Sequence, residues 1–156
     1  MATKRTLVLG LGNPILCDDG IGVRVAWAVA EQLDNPNVTV AEASVGGLRL
    51  LELLIGYDRA ILVDAIQTEN GCPGEIYHLT PADLEQSGPS LHISSTHDVD
   101  FLTALRVGRE MGRSIPEEII IYAVEAVRVQ DFGEEMTPAV AAALPVVTEA
   151  ILREVG

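Results

Sequence analysis

The stretch that most restricts what this chain can become lies near its start. Thr6-Leu7-Val8-Leu9 runs into Gly10-Leu11-Gly12-Asn13-Pro14-Ile15-Leu16-Cys17-Asp18-Asp19-Gly20-Ile21-Gly22. The apolar run reads as a buried strand. The segment from Ile21 to Leu33 reads as a helix, because Ile21, Val25, Val29 and Leu33 recur every four residues with Ala26 and Ala30 beside them. Strand, glycine-rich turn and helix in succession open a site at the carboxyl edge of an α/β sheet. The turn carries two carboxylates, Asp18 and Asp19, where a nucleotide-binding loop would want no negative charge.

The rest of the chain keeps the same alternation. Val38–Ala41 reads as a second strand after the stop signal Asp34-Asn35-Pro36-Asn37. Leu48, Leu51, Leu54 and Ile55 mark a short second helix ended by Gly56. Arg59 to Ala65 is a third strand whose continuous apolar core predicts cover on both faces. The segment from Gln67 to Gly74 is too short for a crossover helix, so the next strand, Glu75–Leu79, should run antiparallel to the one before it. Pro81 to Ser95 is polar and reads mostly as loop. A third helix is expected from about Asp98 to Met111, capped by Ser95 or Thr96, and Ile119–Val124 is the last strand. After a long connection, Thr137 is placed as the cap and Pro138 as the first residue of a final helix, with Val140, Leu144, Val147, Ile151 and Val155 inward. Pro145 should kink it. The pattern predicts one α/β domain over residues 1–156: three layers, α/β/α, around a mostly parallel five-stranded sheet with one antiparallel strand.

Composition narrows the partners. The formal net charge is −13, which opposes binding to nucleic acid and to anionic membrane surfaces. The apolar stretch Ala139–Val147 falls well short of the ~20 residues a membrane span needs, and Met1 to Arg5 has no secretory character. Cys17 and Cys72 form no CxxC pair and read as free thiols in a reducing cytoplasm.

Three side chains are expected at one edge of the sheet: Asp19 after the first strand, Asp64 at the end of the third, and His97 just before the third helix. Two carboxylates and one imidazole make a mixed oxygen and nitrogen ligand set with open positions, suited to zinc, nickel or another divalent first-row ion. Each also has a structural reading. Asp18 or Asp19 would serve to cap the first helix, an aspartate at a strand end is common, and a histidine beside a helix start is often a surface group. The shared edge is what lifts the combination above its parts. His78, inside the antiparallel strand, and His92, in a polar loop, are weaker candidates. Cys17 beside the acids reads as a packing residue, its nucleophilicity blunted by its neighbours. No GxSxG elbow is present, and Gly10-x-Gly12 lacks the third glycine of a dinucleotide fingerprint.

The sequence resembles the hydrogenase maturation proteases, the endopeptidases that process the large subunit of nickel–iron hydrogenases. The resemblance is carried by Gly10-x-Gly12-Asn13-x-x-x-x-Asp18-Asp19-x-x-Gly22-Val23, Val63-Asp64-Ala65, Pro73-Gly74, Ser95-Thr96-His97 and Met136-Thr137-Pro138, and runs nearly end to end. It implies a phosphorylase/hydrolase-like α/β/α fold. It also implies that Asp19, Asp64 and His97 coordinate nickel held by the precursor substrate, after which a short C-terminal extension is removed. In that reading Asp19 or Asp64 also orients or deprotonates the attacking water. Many relatives carry Asp-Gly-Gly-Thr after the second strand, whereas Glu42-Ala43-Ser44-Val45-Gly46-Gly47 stands here, a subgroup difference in the substrate-binding loop. Two other readings compete. One is a non-catalytic metal or nucleotide binding module. The other is peptidyl-tRNA hydrolase, which shares Gly-Leu-Gly-Asn-Pro but continues into Thr-Arg-His-Asn, where this chain has Cys17-Asp18-Asp19.

Overall fold

The computed structural model describes residues 4–44, 48–86 and 97–156, and leaves the side chains of residues 48 and 97–101 outside the description. Among these described residues, five strands form one sheet: β1 (Thr6–Leu11), β2 (Val38–Ala43), β3 (Arg59–Ile66), β4 (Ile76–Leu79) and β5 (Glu118–Glu125). Their order is β2-β1-β3-β5-β4. The first four are parallel neighbours, and β4 pairs antiparallel with β5 along the edge. The unbroken apolar character of β1 and β3 follows from this, since both are interior strands covered on both faces.

Among the described residues, five α-helices cover the sheet: α1 (Ile21–Gln32), α2 (Leu48–Leu54), α3 (Pro81–Gln86), α4 (His97–Glu110) and α5 (Pro138–Val155). Side chains alternate across β3 and divide the core into two layers. Ile61, Val63 and Ala65 pack with Val25 and Val29 of α1 and with Val147 and Ile151 of α5. Ala60 and Leu62 pack on the other face with Leu50 and Leu54 of α2, Leu84 of α3 and Leu105 of α4. The expected three layers, the five strands and the single antiparallel pairing among the described residues are all observed.

Some boundaries and one element differ from expectation. β1, β2, β3 and β5 run one or two residues longer than expected, because backbone pairing continues past the expected ends, whereas β4 starts one residue later, at Ile76. Pro81 to Gln86 is a helix where a loop is expected. Its start is a reciprocal cap: Thr80 N–H donates to Asp83 Oδ2 at 2.9 Å, and Asp83 N–H donates to Thr80 Oγ1 at 3.3 Å, with Pro81 in the first turn. His92 and the caps Ser95 and Thr96 lie outside the described residues. Ala30 is exposed rather than part of the α1 stripe. Helix α5 is continuous through Pro145, which stands on its exposed side, where water can serve the carbonyl of Ala141.

The first helix meets the sheet at very close range through Gly22. A Cβ there would stand 2.3 Å from the Val63 carbonyl oxygen and 2.4 Å from that of Leu11. This contact seats the start of α1 on the carboxyl ends of β1 and β3 together. Gly22→Ala should therefore lower stability by about 1–3 kcal/mol, because two backbone carbonyls must move. Urea unfolding of the variant against the parent checks it, and an unchanged midpoint would disprove the close approach.

Candidate active site

The path from β1 through α1 leads to β2 on one side, and the path from β2 through α2 leads to β3 on the other. The carboxyl ends of β1 and β3 are thus the topological switch point, where such sheets bind their ligands. Both candidate acids are found there. Asp19 lies in a short 3-10 turn, Cys17–Gly20, that packs against β3 and leads into α1. Asp64 lies within β3 rather than at its end, since the strand runs on to Ile66. Its pairing with β1, however, stops one residue earlier, at Gly10 with Val63. Asp64 therefore continues beside β5 alone, next to the crevice.

Asp64 is fully buried and Asp19 nearly so. Asp19 Oδ2 accepts the Asn13 N–H at 3.0 Å, and Asp64 Oδ1 accepts the Ala65 N–H at 2.8 Å. Gly12, at φ +130°, lets the loop close over the acid, for a Cβ there would stand 2.0 Å from the Asp19 carbonyl oxygen. His97 is the first residue of α4 rather than the residue before it. Alternation along β3 places Asp64 on the Leu62 face, the face that α4 covers. The His97 side chain lies outside the described ones. Among the described residues no group of three metal-ligating side chains comes together.

Asp18 has a different place from its neighbour. It caps no part of α1, whose start carries no side-chain cap. Its carboxylate is fully buried and takes four donors from the connection between β5 and α5. Oδ2 accepts Val127 N–H at 2.9 Å and Arg128 N–H at 3.0 Å, Oδ1 accepts Thr137 N–H at 2.7 Å, and the Thr137 hydroxyl also donates to it. A second buried acid, Glu125 at the end of β5, accepts the Thr68 N–H and hydroxyl and the Tyr77 hydroxyl. Gln67 Nε2 donates across to the Val127 carbonyl at 3.1 Å. The loops after β1, β3 and β5 are so joined into one edge. Burial pushes the Tyr77 phenol up to about 12, and the Glu125 carboxylate that accepts its proton adds to the shift.

Cys17 is buried, as expected of a packing residue, but in a left-handed conformation at φ +46°. His78 lies on the edge strand facing Glu154 at 3.6 Å and the ring of Tyr122, well away from the crevice. An open groove of about 520 Å³ runs beside the acid turn, lined by Cys17, Arg128, Gly133 and Met136. Ile15, Val127 and Phe132 on the flanking loops are exposed, Phe132 by 83%. Sequence reasoning missed the roles of Asp18 and Glu125. The signal available was slight: a second acid in the first loop, and a glutamate ending an apolar strand.

A sheet of this order between two helical layers defines the class, an α/β/α protein with buried acids at its switch point. The structure matches the hydrogenase maturating endopeptidase HybD from E. coli with a TM-score of 0.81 and 29% identity, over 97% of this chain and 94% of that one. The family described as hydrogenase maturation protease matches residues 23–154, and the chain belongs to that family. The hydrogenase 2 maturation protease of Escherichia coli is 32% identical over 117 residues, 71% of this chain and 69% of its own length. The hydrogenase expression/formation protein HupD of Rhodobacter capsulatus is 30% identical over 156 residues, covering 97% and 71%. The protein is accordingly a peptide-bond hydrolase, and the peptidyl-tRNA hydrolase reading falls away.

Two outcomes are expected from the buried acids. Asp18→Ala strands four donors away from water and should cost about 3 kcal/mol or more by denaturant unfolding, far beyond an exposed aspartate. The raised Tyr77 pKa means the folded state holds that proton longer than the unfolded chain. Its contribution to stability is full below the unfolded value near 10 and is lost as pH rises through about 12. Tyr77→Phe should flatten that part of the stability–pH curve, measured by urea unfolding between pH 9 and pH 12 (a range of about three units around the phenol pKa).

Proposed function

We propose that this protein removes the C-terminal extension of a nickel–iron hydrogenase large-subunit precursor once nickel has been inserted. In this reading Asp19, Asp64 and His97 complete the coordination of the nickel that the precursor already holds. The observation that carries it is the pair of buried acids in the β1/β3 crevice of a maturation endopeptidase. Two carboxylates and an imidazole leave coordination positions open, which suits a metal that arrives with ligands of its own. The substrate's metal then serves as a template that brings the scissile bond to the acids. No helix among the described residues is long and apolar enough to cross a membrane. The reaction belongs in the cytoplasm, where Cys17 and Cys72 remain thiols.

The chemistry asked of the chain is modest. A carboxylate of the Asp19–Asp64 pair accepts a proton from water as the water oxygen attacks the scissile carbonyl carbon. The carbon–nitrogen bond breaks, and the same proton passes to the departing amine. Exposed Ile15, Val127 and Phe132 beside the crevice supply apolar surface of the kind a protein substrate covers on docking.

Mass spectrometry of the precursor's tail, before and after incubation with the protein, tests the reading. The nickel-loaded precursor should lose its extension and the nickel-free one should keep it. His97→Ala and Asp64→Ala should each abolish processing while circular dichroism stays unchanged. Cleavage at the parental rate by either variant, or equal cleavage without nickel, would sink the assignment.

A further inference from the structure

Resting on the reading of Asp19 as a functional acid, we propose that Asp18 and Thr137 form a clamp whose task is to position Asp19, so that both are positioning residues for the cleavage. Thr137 occupies the cap position of α5, yet its hydroxyl makes no cap bond to that helix. It stands instead 2.8 Å from Asp18 Oδ2 and 3.0 Å from Oδ1, while its own N–H donates to Oδ1 at 2.7 Å. A threonine at a helix start ordinarily spends its oxygen on the helix. Here the helix start is served by a carboxylate from a turn 119 residues earlier, which suits the positive end of the α5 dipole.

The turn bearing Asp19 is held along its whole length by the same distant segment. Cys17 N–H donates to the Gly133 carbonyl and Gly133 N–H to that of Ile15, each at 2.8 Å. Asp18 N–H donates to the Arg128 carbonyl at 2.8 Å. Between these bonds Cys17 is held at φ +46°, in the left-handed region that residues other than glycine seldom adopt. The strained residue lies two positions before Asp19, and the clamp one position before it. Together they send one acid inward to the donors and leave the next, Asp19, at the crevice shared with β3. Asp64 is carried by the sheet and Asp19 by the clamped turn, so the clamp decides their separation. A shift of about an ångström in such a pair is enough to slow a reaction by about a hundredfold.

Removing Asp18 outright threatens folding, so the hydroxyl of Thr137 is the handle. Thr137→Val keeps the shape and the backbone N–H and deletes only the hydroxyl's bond, with no helix cap to lose. Processing of nickel-loaded precursor should show kcat lower by about tenfold with KM within about twofold of the parent, and Thr137→Ser should restore kcat. Thr148→Val is the control. It deletes another buried hydroxyl bond in α5, to the Leu144 carbonyl at 2.7 Å, and should lower the melting temperature while leaving kcat alone. The clamp is refuted if Thr137→Val keeps the parental kcat, if Thr137→Ser is as slow as Thr137→Val, or if Thr148→Val slows turnover equally. Asp19→Ala, run alongside, separates the two levels. Parental activity in that variant overturns the reading of Asp19 itself. An inactive Asp19→Ala beside a fully active Thr137→Val overturns the clamp alone.

Discussion

A carboxylate without water must have its lone pairs filled by the protein, and the carboxylate of Asp18 sets the terms for the whole carboxyl edge. It is fully buried, and its donors belong to residues 127, 128 and 137, more than a hundred positions away. Filling it requires that the loop after β5 fold back over the loop after β1. That closure brings Gly133 alongside Ile15 and Cys17 and forms the groove beside the acid turn. It also starts α5, whose inward residues complete the core layer that α1 shares. One buried charge thereby links the earliest loop to the last helix.

Glu125 does comparable work one strand away, holding the loop after β3 through Thr68 and the edge strand through Tyr77. Buried acids saturated in this way are stiff supports, because loss of any donor leaves a charge stranded in a medium that solvates it poorly. An endopeptidase has use for such stiffness. In the proposed reading, Asp19 and Asp64 keep their geometry while a protein substrate presses against the exposed side chains around them. The structure places Asp64 on a sheet strand and Asp19 on a turn pinned on both sides, so neither depends on a loose loop.

Most of the architecture was legible in the order of the residues. The apolar runs of β1 and β3 announced interior strands, and the four-residue spacing of Ile21, Val25 and Val29 announced the face of α1. Helix α3 was hidden because its six residues carry a polar pattern. The reciprocal cap of Thr80 and Asp83 was the available clue. The placement of Asp19 and Asp64 toward the carboxyl ends of β1 and β3 was legible because parallel strands present their following loops at a common edge. The division of labour between Asp18 and Asp19 was not. Two adjacent aspartates look alike in one dimension, and only the donors around each tell them apart.

The sequence by itself determined the layers, the direction of each strand and the family to which the chain belongs. The layers and strand directions follow from periodicity, connection length and turn residues, and the family from its motifs, all of which are local. Tertiary structure alone decided which of the two adjacent aspartates takes the donors of residues 127, 128 and 137, and that Thr137 serves Asp18 rather than its own helix. The physical reason is distance along the chain. A hydrogen bond between residues 18 and 137 has no period and no spacing to read, and exists only because the sheet has already brought its two ends together.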